Sequence, residues 1–211
     1  MSDVKKIVGQ IGLAGTVAFT SMGAGATELS NQISVVFDRS ATERMRIAAA
    51  MKVSQSGSRD AVVPMVQALQ NTKGSLKAAI RRALDELKAT SVLLADLASK
   101  DPEVRQASAE LLGVLQDPES LGALVQSLKD PVPGVREECA TAIAKFGGAQ
   151  QVQALNHVLR TDEQSDVRMA AAQALGQIDA PAAKEALREA LSTEKDDFVV
   201  VFIKMGLKNG Q

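Results

Sequence analysis

The 211-residue chain has no tryptophan, no tyrosine and only five phenylalanines. A core with so few rings must be built from small aliphatic helix formers, which let helices approach closely. One cysteine, Cys139, excludes an internal disulfide and leaves the redox compartment open. One histidine, His157, stands between Asn156 and Val158 with no His/Cys cluster beside it. A zinc site or a Cys–His nucleophile pair therefore has no sequence support. Neither sign of charge is in surplus: 24 basic and 25 acidic residues leave a formal net charge of −1. The one basic stripe, Lys73, Lys77, Arg81, Arg82 and Lys88, is interrupted by Asp85 and Glu86 and has no stacking aromatics. A phosphate-binding surface needs clustered Lys and Arg, so no nucleic acid is expected as a partner. The glycines at 9, 12 and 15 and at 23 and 25 lack both dinucleotide spacing and the lysine of a P-loop. No catalytic residue, metal or cofactor is expected, and the chain reads as a non-enzyme.

What is present is a repeat. The run Asp-Pro-Glu-Val-Arg-Gln-Ala-Ser-Ala-Glu-Leu-Leu-Gly, from Asp101 to Gly113, recurs from Val135-Arg136 and from Val167-Arg168. Weaker copies start at Met45, Leu76 and Val199. Taking Met45, Leu76, Val104, Val135, Val167 and Val199 as anchors, successive spacings are 31, 28, 31, 32 and 32. Eight places after each anchor stands an aliphatic residue: Val53, Leu84, Leu112, Ile143, Leu175 and Leu207. A fixed period of this size predicts an all-α solenoid of about six stacked antiparallel helix pairs. Outer helices are expected near 28–37, 59–69, 91–98, 120–128, 151–159 and 182–191, with inner helices beginning near each anchor. The glycines at 57, 113, 147–148 and 176 are expected to close inner helices in the left-handed conformation. The short spacing from 76 to 104 predicts a shortened turn.

Residues 1–26 stand apart, because Ile7 to Ala26 carries no charge and follows Lys5-Lys6. Ser2-Asp-Val-Lys5 echoes Ser165-Asp-Val-Arg168, which favours a partial repeat capping the array and a cytoplasmic location. The alternative is a cleaved signal peptide ending near Ala24-Gly-Ala26, with a periplasmic or secreted protein. Membrane contact is expected only if residues 7–26 are an uncleaved anchor. Residues 27–211 form the solenoid.

Val-Arg followed by Ala-rich positions and a Leu-Gly close, as in Val167-Arg168…Ala172…Leu175-Gly176, resembles the HEAT-like repeat, in its short bacterial variety known from phycobilisome bilin lyases. The resemblance implies inner helices lining a concave face, and it implies that the repeated arginines pair with turn acids such as Asp101, Asp130 and Asp162 between neighbouring repeats. Arg46, Arg105, Arg136 and Arg168, with Lys77, are read as this structural ladder. It also keeps open an alternative function, a bilin lyase-like subunit handling a tetrapyrrole.

The leading reading is a scaffold that binds another protein. Positions two and six after each anchor lie on neighbouring turns of one helix face. They give a candidate ridge of Arg82, Gln106, Glu110, Glu137, Thr141, Met169 and Gln173. In the last copy the surplus apolar residues Val200, Val201 and Met205 form a candidate docking patch for a homodimer through the C-terminal helix.

Overall fold

The computed structural model describes residues 24–208. The expected partial repeat or signal peptide at 1–26 lies almost wholly outside the described residues. Among the described residues there are twelve α-helices and no strands, in two compact units that divide between Val92 and Leu93. The first unit holds α1 (Ala24–Phe37), α2 (Glu43–Gln55), α3 (Val62–Gln70) and α4 (Gly74–Glu86). α5 (Ala89–Leu97) carries the division. The second unit continues with α6 (Pro102–Leu115), α7 (Leu121–Ser127), α8 (Pro133–Phe146), α9 (Val152–Thr161), α10 (Ser165–Gln177), α11 (Pro181–Leu191) and α12 (Asp197–Lys208).

Within each unit the helix pairs stack in the manner of an α-solenoid. In the first, inner helices α2 and α4 pack on each other, with α1 against α2 and α3 against α4. In the second, α6, α8, α10 and α12 pack consecutively, while α7, α9 and α11 lie on α8, α10 and α12. Each inner helix begins two residues before its anchor, because the turns supply starts there. Thr42 accepts a hydrogen bond from the Met45 N–H, and Asp101 accepts one from Glu103 beside Pro102. Asp196 accepts from Phe198 and Val199 at the head of α12. Pro102, Pro133 and Pro181 open helices where a missing N–H costs nothing. Three outer helices are entered through one 3₁₀ turn: Arg59–Ala61, Pro118–Ser120 and Ala149–Gln151. The shortened spacing arises between inner and outer helix, where only Leu87 and Lys88 join α4 to α5 and Lys88 turns left-handed at φ 52°.

The core of each unit is aliphatic. Ile80 and Leu84 close the first, and Leu112, Ile143, Leu175 and Ile203 run through the second, all buried. Each such side chain contributes about 1.5–3 kcal/mol by leaving water. Two copies depart from the others in which positions they bury. Met45 is exposed, so the first copy's buried set starts at Ala49 and Ala50, and Leu207 is only half-buried.

The glycines differ from expectation. Gly57 is left-handed at φ 60°, but α6 is ended by Gln116 at φ 55°, and Gly113 and Gly176 lie inside helices. Gly147, at φ −70°, is not left-handed either. The reason for Gly113 and Gly176 is distance between helices rather than backbone conformation. A Cβ on Gly113 would lie 3.0 Å from Ala142 of α8, and one on Gly176 would lie 2.4 Å from the Cα of Gly206 in α12. Small residues at these crossings set how closely successive inner helices approach. Gly176→Ala should therefore destabilise the second unit by about 1–3 kcal/mol through overpacking, despite alanine's better helix propensity. Urea unfolding measures it, and a neutral or stabilising result would contradict the close approach of α10 and α12.

Candidate functional site

The turns of the second unit are tied together by arginines. Arg105 Nε and Nη2 donate to the Asp130 carboxylate at 2.6 and 2.8 Å, and its Nη1 donates to the Ser99 carbonyl at 2.9 Å. Arg136 repeats this with Asp162 at 2.7 and 2.8 Å and with the Asp130 carbonyl at 2.8 Å. Arg168 repeats it with Glu194 at 2.9 and 3.2 Å and with the Asp162 carbonyl at 2.9 Å. Each guanidinium thus joins its own turn to the next one, 25 or 26 residues along the chain from arginine to acid. All six side chains are largely shielded from water. Each acid also accepts from its own turn, Asp130 from Val132, Asp162 from Gln164, Glu194 from Lys195 and Asp196.

In the first unit the arrangement differs. Arg46 Nε donates to the Val36 carbonyl at 2.9 Å rather than to an acid. Position 72, the residue 26 further on, is the buried Thr72, whose hydroxyl donates to the Ala68 carbonyl. Lys77 is exposed. There Glu43 links the inner helices instead, accepting from the Ser75 hydroxyl at 2.8 Å and the Leu76 N–H at 3.2 Å at the start of α4.

Electrostatics follow the geometry. The Arg105 bond, opposed by burial, holds the Asp130 carboxyl below its ordinary range. Burial pushes Asp162 and Glu194 upward, but their bonds to Arg136 and Arg168 and to turn N–H groups outweigh it and both fall. Glu138 moves the other way: burial and the neighbouring Glu110 and Glu137 raise it against the pull of Lys145. Cys139, fully buried at the fourth place after its anchor, has its thiol pushed up to about 12, by burial first and by Asp130 and Glu138 next. His157 is exposed on α9, where its carbonyl accepts from Thr161. No group of three or more His, Cys, Asp or Glu among the described residues is placed to hold a metal ion. No helix among them is long and apolar enough to cross a membrane.

Opposite the core, the inner helices of the second unit present the ridge positions. Gln106 and Glu110 on α6, Glu137 on α8 and Gln173 on α10 are exposed, while Thr141 and Met169 are half-buried. Arg82, also exposed, belongs to α4 in the first unit. On α12 the two equivalent positions are Val201 and Met205, 51% and 53% exposed. Phe198, 75% exposed, stands one turn before Val201 on the same face and was not singled out by sequence pattern. Its signal was its place just before the anchor, where the other second-unit copies carry Glu103, Gly134 and Asp166. Val200, half-buried, lies on a different face, since its equivalent in α10 is Arg168. The other missed residue is Glu194, which completes the third arginine pair.

Helix pairs stacked and laced in this way define a helical-repeat protein. The family described as HEAT repeats matches residues 90–172 and 154–200, more than half of the chain, and the chain belongs to that family. It is 31% identical over 100 residues to deoxyhypusine hydroxylase of Mus musculus, covering 45% of this chain and 33% of the relative. The chain thus matches about a third of that curated relative's length. Among solved structures, it is similar to a designed armadillo repeat protein in complex with the peptide (KR)4, at 20% identity and TM-score 0.49, over 87% of this chain and 100% of that one. It is also similar to a phycocyanin lyase complex of a Nostoc species, at 17% identity and TM-score 0.26, over 91% and 96%.

Arg136→Met leaves Asp162 buried without its cation and should cost about 3 kcal/mol at pH 7, whereas Arg136→Met/Asp162→Leu should recover much of that loss. Because the folded pKa values of Asp130, Asp162 and Glu194 are lowered, their stabilisation is complete above the unfolded values of about 4 and is lost as pH falls through the lower folded ones. The gap in urea midpoint between wild type and Arg136→Met should therefore narrow as pH falls below about 4. Glu138→Gln has the opposite sign and should stabilise at pH 7 but not at pH 3. Cys139 should resist iodoacetamide in the native protein and react only after unfolding, and rapid native alkylation would refute its burial.

Proposed function

We propose that this chain is a non-catalytic protein-binding scaffold that presents the outward ridge of its second-unit inner helices to a partner. The carrying observation is that Gln106, Glu110, Glu137 and Gln173 are exposed on helices whose remaining faces are occupied by core, neighbour and ladder contacts. Folding makes no evident demand on these positions. Stacked inner helices offer an extended row of such side chains, which suits a partner contacting several repeats at once.

Glu110→Ala/Glu137→Ala/Gln173→Ala should leave stability within about 0.5 kcal/mol per site. The same variant should recover fewer partners from native lysate than wild type. A control altered on outer helices, Gln126→Ala/Gln153→Ala, should recover them normally. Equal recovery by both variants would remove the ridge from the binding surface.

A further inference from the structure

The ridge is chemically polarised from one end to the other. Around its α6–α10 part stand Glu110, Glu137 and Asp166, exposed, and Glu138, half-buried, with Lys145 as the cation facing Glu138. Glu138 is raised by burial first, with Glu110 and Glu137 adding to the effect and Lys145 opposing it. On α12 the four matching positions carry no charge. Phe198, Val201, Phe202 and Met205 recur at intervals of three and four residues and form one apolar stripe. Among the described residues of the second unit, Phe198, Val201 and Met205 are the large hydrophobics left exposed. Both features share one face, because they occupy matching positions on inner helices that pack in succession.

In α10, Ala172 and Gly176 are the residues that meet Gly206 of the next helix. Their counterparts in α12 are Lys204 and Lys208, both exposed. The exposed apolar residues of α12 thus lie along the ridge positions, with Lys204 and Lys208 beside them, three residues after Val201 and Met205.

We infer that the ridge takes a peptide segment with basic residues at one end and an apolar pair at the other, bound in one direction. This rests on the ridge reading above and adds the partner's chemistry to it. Successive packed helices lie about 9 Å apart, so α8 to α12 is about 18 Å. An extended chain covers that in about six residues at ~3.3 Å each. The basic residues would face Glu110, Glu137 and Glu138, and the apolar pair would cover Phe198, Val201 and Met205. Charge would then set direction and on-rate, and the apolar anchors would set residence time.

The test is fluorescence anisotropy on the full chain with three labelled synthetic peptides. All carry two leucines, separated by six Ala/Ser residues from two arginines, two glutamines or two glutamates. The arginine peptide should bind tightest and the glutamate peptide at least about tenfold more weakly, with the gap closing as salt rises. Glu110→Gln/Glu137→Gln/Glu138→Gln should abolish the gap, and Phe198→Ser/Met205→Ser should weaken all three peptides alike. The comparison of peptides on wild-type protein is independent of how any variant folds. If the glutamate peptide binds equally well while Phe198→Ser/Met205→Ser still weakens it, the charge inference falls and the ridge reading stands. If no peptide binds, the inference falls, while partner recovery by the alanine variant judges the ridge separately. Light scattering covers the remaining occupant: a wild-type dimer that resists the arginine peptide and becomes monomeric in Val201→Glu/Met205→Lys would assign the stripe to a second copy and overturn the inference.

Discussion

The second unit depends on one repeated constraint, a planar cation that must satisfy two turns at once. Arg105, Arg136 and Arg168 each place a two-pronged bond on the next turn's acid and a third donor on their own turn's carbonyl. Lysine has neither the fork nor the fixed plane to do this. Asp130 and Asp162 receive one arginine on the carboxylate and the following arginine on the backbone carbonyl. The links are therefore continuous from Arg105 to Glu194. Largely buried ion pairs of this type return little net energy after desolvation, but they penalise misplacement heavily. Their effect is to hold successive turns in register.

Registration by the ladder and closeness by the small residues act on different parts of the same helices. Arginines fix the turns at the N-terminal ends. Gly113 against Ala142, and Gly176 against Gly206, fix the approach near the C-terminal ends. With both ends of each inner helix determined, the side chains opposite the core need not contribute to stacking. That freedom is why one ridge position can be glutamate on α8, methionine on α10 and valine on α12 without altering the helix beneath it.

Much of this was legible in the sequence. The anchors located every inner helix to two residues, because caps and prolines in the turns act locally. The arginine position was equally plain. Two of its partners, Asp130 and Asp162, were legible as turn acids, and the structure pairs each with the arginine 25 or 26 residues earlier. Glu194 was missed because a longer carboxylate occupies the place held by aspartate in the two preceding turns. Glycine was misread at Gly113 and Gly176: it serves both as a left-handed helix terminator and as a close-contact residue, and only the neighbouring helix distinguishes the two. Exposure of Met45 escaped for a similar reason, as a methionine at an anchor position reads as core whether or not a neighbour covers it.

The last described repeat shows where structural and functional demands separate. At the arginine position α12 carries Val200, so Glu194 receives the final pair and its own carbonyl is not called upon by a further arginine. Released from the ladder, α12 keeps only the buried set Val199, Ile203 and Gly206 in common with its neighbours. Its exposed residues include Lys204 and Lys208, at the positions where Ala172 and Gly176 stand in α10, and beside them Phe198, Val201 and Met205 on the ridge. Phe198, Val201 and Met205 stand in line with the acidic positions of α6 and α8, while Val200 lies apart on the face that the arginine ladder vacates.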